Sequence, residues 1–181
     1  MNAQSQKKAD PAEALCLACG LCCNGAIFND VKLEPSDNPD RLRSLGLPVK
    51  RFGSKLGCSQ PCAAFARGRC AIYAERPSHC RTFECLVLKG LKAGAIKPNA
   101  ALKRVALARR RAATVNRLLV ELGNSDDDSS LQSRFRKIMA ASHALKPELA
   151  KGLSELTLAM HSLNLLLSHE FYPTSQTQPE G

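Results

Sequence analysis

Tryptophan is absent from the 181 residues, and only two Tyr and six Phe are present. Any core must therefore be built mainly from Ala, Leu and Val, a supply that favours helix over sheet. Long apolar runs are missing too, and none approaches the roughly 20 residues that span a bilayer. Residues 1–14 are polar and lack the apolar stretch of an export signal, so the expected compartment is the reducing cytoplasm. No G-x-S-x-G, P-loop or G-x-G-x-x-G occurs, and no nucleophile–base pair can be nominated. Independent catalysis is not expected. Asp126, Asp128 and Ser130 imitate the start of a calcium loop, but position 131 is Leu instead of Gly and position 137 is Lys instead of Glu. Acidic residues are outnumbered, 16 against 26 Lys and Arg, for a net charge of +10. Such a surface suits phosphates, nucleic acid or acidic protein partners.

Cysteine is plentiful but confined. All nine lie between Cys16 and Cys85, in a polar, glycine-containing stretch. An odd count without an export signal argues against a disulfide framework. Nine clustered thiols are also too many to be buried small hydrophobes. A segment this poor in regular apolar pattern needs a staple, and a metal ion is one. The first group is the C-x-x-C-x-x-C-C run Cys16, Cys19, Cys22 and Cys23. In a tight knuckle Gly20 supplies a positive φ; in a helix, Cys16, Cys19 and Cys23 share a face. Both geometries converge thiols. Adjacent Cys22 and Cys23 can serve two centres or two atoms of one cluster. The second group follows Cys58 and comprises Cys62, Cys70, Cys80 and Cys85, with Arg76-Pro77 before Cys80. Pro77 is expected to end a turn begun near Cys70 and let Cys80 return to it. Tyr73 and Phe83 are expected to pack around the site.

The run at Cys16–Cys23, the Pro61-Cys62 step and the stretch Cys-x-Ile-Tyr-x-x-Arg-Pro-x-x-Cys-Arg-x-Phe-x-Cys from Cys70 to Cys85 resemble the YkgJ-type cysteine-cluster family, described as zinc- or iron-chelating. The resemblance covers about residues 15–90. It implies metal chelation by Cys16, Cys19, Cys22, Cys23, Cys62, Cys70, Cys80 and Cys85, with Cys58 outside the pattern. The stretch is also similar to the cysteine-rich part of flagellin lysine methylases, which implies an iron–sulfur cluster such as [4Fe–4S]. Eight thiolates are twice the four that hold one tetrahedral zinc or one four-iron cluster. Two mononuclear sites, one cluster with spare thiols, and one polynuclear site all remain open. Soft sulfur donors exclude magnesium, calcium and the non-haem iron triad. The bacterial ferredoxin run, the plant-type spacing and C-x3-C-x2-C are absent, position 65 being Phe. Arg76 and Arg81 are placed to offset the negative charge of a thiolate site. His79 is read as a neighbour of the site rather than a ligand, and His143, His161 and His169 as ordinary residues.

After the cysteines the pattern turns helical. The expected architecture is α-rich: a mobile tail over 1–14, a small irregular metal-nucleated module over 15–90, about three amphipathic helices over 98–172, and a tail over 173–181. Residues 100–122 read as a basic helix with Leu102, Val105, Ala106, Ala112, Ala113, Leu119 and Leu122 on one face and Gly123 closing it. Its Arg109-Arg110-Arg111 run is read as a solvated face. The alternative, a zinc-stabilised nucleic-acid binder, lacks interleaved aromatics. A second helix is expected from 131 to about 145, carrying Leu131, Phe135, Ile138, Met139 and Leu145 on one face. A third is expected to begin at Pro147, with a seam of Leu149, Leu153, Leu156, Met160, Leu163 and Leu167. That seam can pack on the preceding helices, the preferred reading, or pair with a second copy. Three functions follow: structural or metal-handling chelation, an iron–sulfur redox partner of a larger enzyme, and the nucleic-acid binder.

Overall fold

The computed structural model describes residues 10–141 and 149–173. Residues 1–9 and 174–181, and expectations resting on His143, Leu145 and Pro147, lie outside the described residues. Helix α1 (Pro11–Cys19) begins inside the segment expected to be a tail. Asp10 accepts a hydrogen bond from the Ala12 amide at 2.9 Å and Pro11 occupies the first turn. This Asp-Pro pair is a helix start signal that the polar composition concealed. Gly20 ends the helix in the left-handed region at φ 68°.

The cysteine module is less irregular than expected. Strands β1 (Asp30–Lys32), β2 (Val49–Phe52) and β3 (Lys55–Ser59) form an antiparallel sheet in the order β1-β3-β2. Strands β4 (Phe65–Ala66) and β5 (Arg69–Cys70) form a hairpin that turns through Arg67 and Gly68, both at positive φ. Segments this short show no readable alternation. Helix α2 (Pro39–Ser44) covers the sheet. Leu42 with Leu33, Leu47, Cys58 and Ala64 forms a small core there. A 3-10 turn (Tyr73–Glu75), α3 (Ser78–Thr82) and α4 (Leu86–Lys92) complete the module.

The fold is α-rich, and the three later helices are α5 (Pro98–Glu121), α6 (Leu131–Ala140) and α7 (Ala150–Glu170). The buried face of α5 differs from the expected one. It is Ala101, Val105, Ala108, Ala112, Val115, Leu118 and Leu119, while Leu102, Ala106 and Ala113 face solvent. Val105, Ala112, Leu119 and Leu122 of the expected face are buried. Helix α6 stops at Ala140. Leu156, Met160, Leu163 and Leu167 of the α7 seam are buried inside this chain. These four seam residues are thus packed within the chain.

One main core joins module to helices. It contains Leu15 and Leu21, Val87 and Leu88, the α5 and α7 faces, and Phe171. Several hydrogen bonds fasten the two parts. The Leu131 amide donates to Gly25 O at 3.1 Å, the Leu86 amide to Phe171 O at 3.1 Å, and the Tyr172 hydroxyl to Ile27 O at 3.1 Å. No described helix is long and apolar enough to cross a membrane.

Candidate metal centre

Cys16 and Cys19 lie three apart on α1 and so share a face. Beyond Gly20 the chain turns, with the Cys23 and Asn24 amides donating to Gly20 O at 3.0 and 2.9 Å. This turn presents Cys22 and Cys23. A Cβ at Gly20 would lie 2.6 Å from the Phe65 ring, so glycine is required both by φ and by space. Both sequence geometries were half right: helix through Cys19, turn after it.

The second group comes in beneath. The Cys62 amide donates to Cys23 O at 2.8 Å, and the Phe65 amide to Cys62 O at 2.8 Å. Phe65 pairs across the hairpin with Cys70. The 3-10 turn ends at Arg76, just before Pro77, as expected, and Pro77 also stands at the N-cap of α3, which carries Cys80. Asp37 orients α3, its carboxylate accepting from the Ser78 amide at 2.8 Å and the Ser78 hydroxyl at 2.7 Å. Cys85 precedes the first turn of α4.

All eight expected cysteines line one cavity of about 410 Å³. Cys58 does not. It sits in β3 between Val31 and Val49, 3 % exposed, and burial raises its thiol to about 11. Tyr73, Phe83, Arg76 and Arg81 also line the cavity. His79 is absent from the wall; it packs edge-on against Phe28 at 5.2 Å.

Burial pushes the thiols of Cys16, Cys19, Cys22, Cys62, Cys80 and Cys85 upward, Cys19 and Cys80 to about 12. Mutual repulsion among the sulfurs adds to this at Cys16, Cys19, Cys22, Cys62 and Cys80. Cys23 and Cys70 share a hydrogen bond, which raises Cys23 as donor and lowers Cys70 as acceptor. Arg76 opposes burial at Cys16 and Cys80. Its guanidinium is fixed 3.7 Å above the Tyr73 ring, with Nε donating to Cys80 O at 3.2 Å and Nη1 to Tyr73 O. Arg81 is held by Ser78 at 2.9 Å.

Sequence reading missed two wall residues and one neighbour of the wall. Arg109 of α5 donates to Ala18 O at 2.9 Å and favours the Cys19 thiolate. Phe171, fully buried, closes the wall from the far end of the chain. Gln60, 3 % exposed, leaves its Oε1 without a hydrogen-bond partner on the same wall. Arg109 and Phe171 reach the site through tertiary packing and had no local signal, whereas Gln60 stands two residues before Cys62. Asp10, Glu13 and Glu84 also reach the wall, so carboxylates are nearer than the sequence implied.

The donor set fits a thiophilic ion. Eight cysteines line one cavity with two guanidinium groups beside them to offset thiolate charge, and a buried acceptor oxygen stands unused. Among the described residues, no three Cys, His, Asp or Glu side chains stand close enough around one point to hold an ion, so loading requires the thiols to draw together.

Residues 15–103 match the family model CxxCxxCC, described as "Putative zinc- or iron-chelating domain". The cysteine module belongs to the CxxCxxCC family. The match runs past the last cysteine into the start of α5. Comparison with curated proteins and with solved structures found no match.

Proposed function

We propose that this chain is a metal-binding protein that holds zinc or iron through Cys16, Cys19, Cys22, Cys23, Cys62, Cys70, Cys80 and Cys85, in a structural or metal-handling role. The observation that carries this reading is the single cavity lined by these eight cysteines and not by the ninth. A loaded thiolate site is polyanionic, and Arg76 and Arg109 supply fixed positive charge beside it. Bound metal would draw α1, the hairpin, α3 and α4 to one point, a cross-link that the sheet side, with its few buried side chains, does not provide for itself.

An iron–sulfur cluster is the second loading consistent with the same donors. It would make the chain a redox partner of a larger enzyme. The nucleic-acid alternative has less support, because Arg109 and Arg111 are engaged within the chain, Arg111 donating to Ser162 O at 2.6 Å.

The test is metal and acid-labile sulfide content, with an absorption spectrum, on full-length protein purified without oxygen. Iron with matching sulfide and a visible chromophore that bleaches on reduction identifies a cluster. Colourless protein with stoichiometric zinc identifies a structural or carrier site. Protein carrying neither metal above trace, with its thiols free to react, would overturn chelation by these cysteines.

A further inference from the structure

Resting on the chelating reading, we propose that the eight thiols form two separate four-thiol metal centres, Cys16, Cys19, Cys22 and Cys85 making one and Cys23, Cys62, Cys70 and Cys80 the other. The boundary falls between the adjacent residues Cys22 and Cys23.

Packing divides the cysteines this way. Cys16, Cys19, Cys22 and Cys85 are the four that pack against the main helical core. Cys62 packs instead against the small core on the sheet side. The backbone explains the split. The first two cysteines share the α1 face, and Cys85 arrives at the start of α4, whose Val87 and Leu88 join Leu15 of α1 in the main core. The other set is tied by its own hydrogen bonds. The Cys62 amide donates to Cys23 O, and Cys62 O accepts from the amide of Phe65, which pairs with Cys70 across the hairpin.

Cys80, carried by α3, completes the second set at four. Each set also has a guanidinium hydrogen-bonded beside it: Arg109 to Ala18 O next to Cys19, and Arg76 to Cys80 O. Four thiolates are the full complement of one tetrahedral thiophilic ion or one four-iron cluster, so neither set needs a ligand from the other.

Cadmium-113 reads the partition directly, since each bound ion couples to the β-protons of the cysteines that ligate it. Full-length protein expressed with cadmium-113 should show two cadmium resonances. One should couple to Cys16, Cys19, Cys22 and Cys85, the other to Cys23, Cys62, Cys70 and Cys80. A single bound ion, or one ion coupled to both Cys22 and Cys23, overturns the partition while leaving chelation standing. No thiol-coupled cadmium at all overturns chelation itself. Cys22→Ser and Cys23→Ser give a second reading. Each should keep one resonance of the two, and not the same one. Loss of both from a variant with wild-type far-ultraviolet circular dichroism overturns the proposal. If a variant does not fold, the couplings in the unmutated protein decide.

Discussion

Gly20 and Asp37 shape the site without being donors to a metal. Gly20 sits at φ 68° with the Phe65 ring against its Cα. Gly20→Ala combines a left-handed alanine, about 1–2 kcal/mol, with overpacking of about 1–3 kcal/mol. It should lower unfolding free energy by at least about 2 kcal/mol in urea titration and reduce metal content per chain. An unchanged denaturation midpoint would mean that the turn yields freely. Asp37 makes a different kind of contribution. Burial alone would raise its carboxyl, yet the Ser78 and Glu34 hydrogen bonds, with Arg81 nearby, outweigh this and hold it below the usual carboxylate range. The folded pKa is thus lower than the unfolded one. The stabilisation is present above about pH 4, the unfolded value, and is lost as pH falls through the lower folded value. Asp37→Asn should cost about 1–2 kcal/mol near neutrality, with a smaller difference from wild type below pH 4. Unfolding measured at pH 7 and pH 3 checks the sign. Equal penalties at both values would show that the charge is immaterial.

At the scale of elements, the basic helix is where sequence and structure diverge most instructively. The run Arg109-Arg110-Arg111 reads as one charged face, but the helix distributes it. Arg109 reaches back to Ala18 O at the end of α1, Arg111 reaches across to Ser162 O on α7, and Arg110 makes no side-chain hydrogen bond or ion pair among the described residues. Arg109→Ala should therefore cost about 1 kcal/mol and loosen α1 beside Cys19, whereas Arg110→Ala should be neutral. Thermal unfolding of the two variants, with hydrogen exchange on residues 11–19, checks this. Equal effects would return the run to a solvated face. The cysteine spacing was legible because thiols at fixed intervals have few uses, and the α7 seam because Leu and Met repeat there at helical period. The α5 face was only partly legible, because its alanines occur on both the buried side (101, 108, 112) and the exposed side (106, 113). The short strands carried no period at all. Phe171 came to the wall by packing between distant parts of the chain, which no local spacing encodes.

For the whole molecule, the consequence is that metal and helices should share one unfolding event. The sequence suggests a metal module with an appended helical part. The structure instead runs one core from Leu15 through Val87 to Leu119, Leu163 and Phe171, and Cys16, Cys19, Cys22 and Cys85 pack on its surface. The bonds Leu131 N to Gly25 O, Leu86 N to Phe171 O and Tyr172 Oη to Ile27 O cross between the parts. A metal that binds only the folded chain stabilises everything that unfolds with its site, by about 3 kcal/mol at 100 or more times its dissociation constant. In a chain of this length that is about 6–12 °C in midpoint. Removing the metal with a chelator under reducing conditions should accordingly lower the melting of the helical circular dichroism signal, although α5, α6 and α7 contain no cysteine. In the loaded protein the helical signal and the metal–thiolate absorbance should be lost together in one transition. Two separated transitions, with the helical one indifferent to chelator, would restore the picture of two independent parts and would require the shared core to be far weaker than its buried leucines and Phe171 imply.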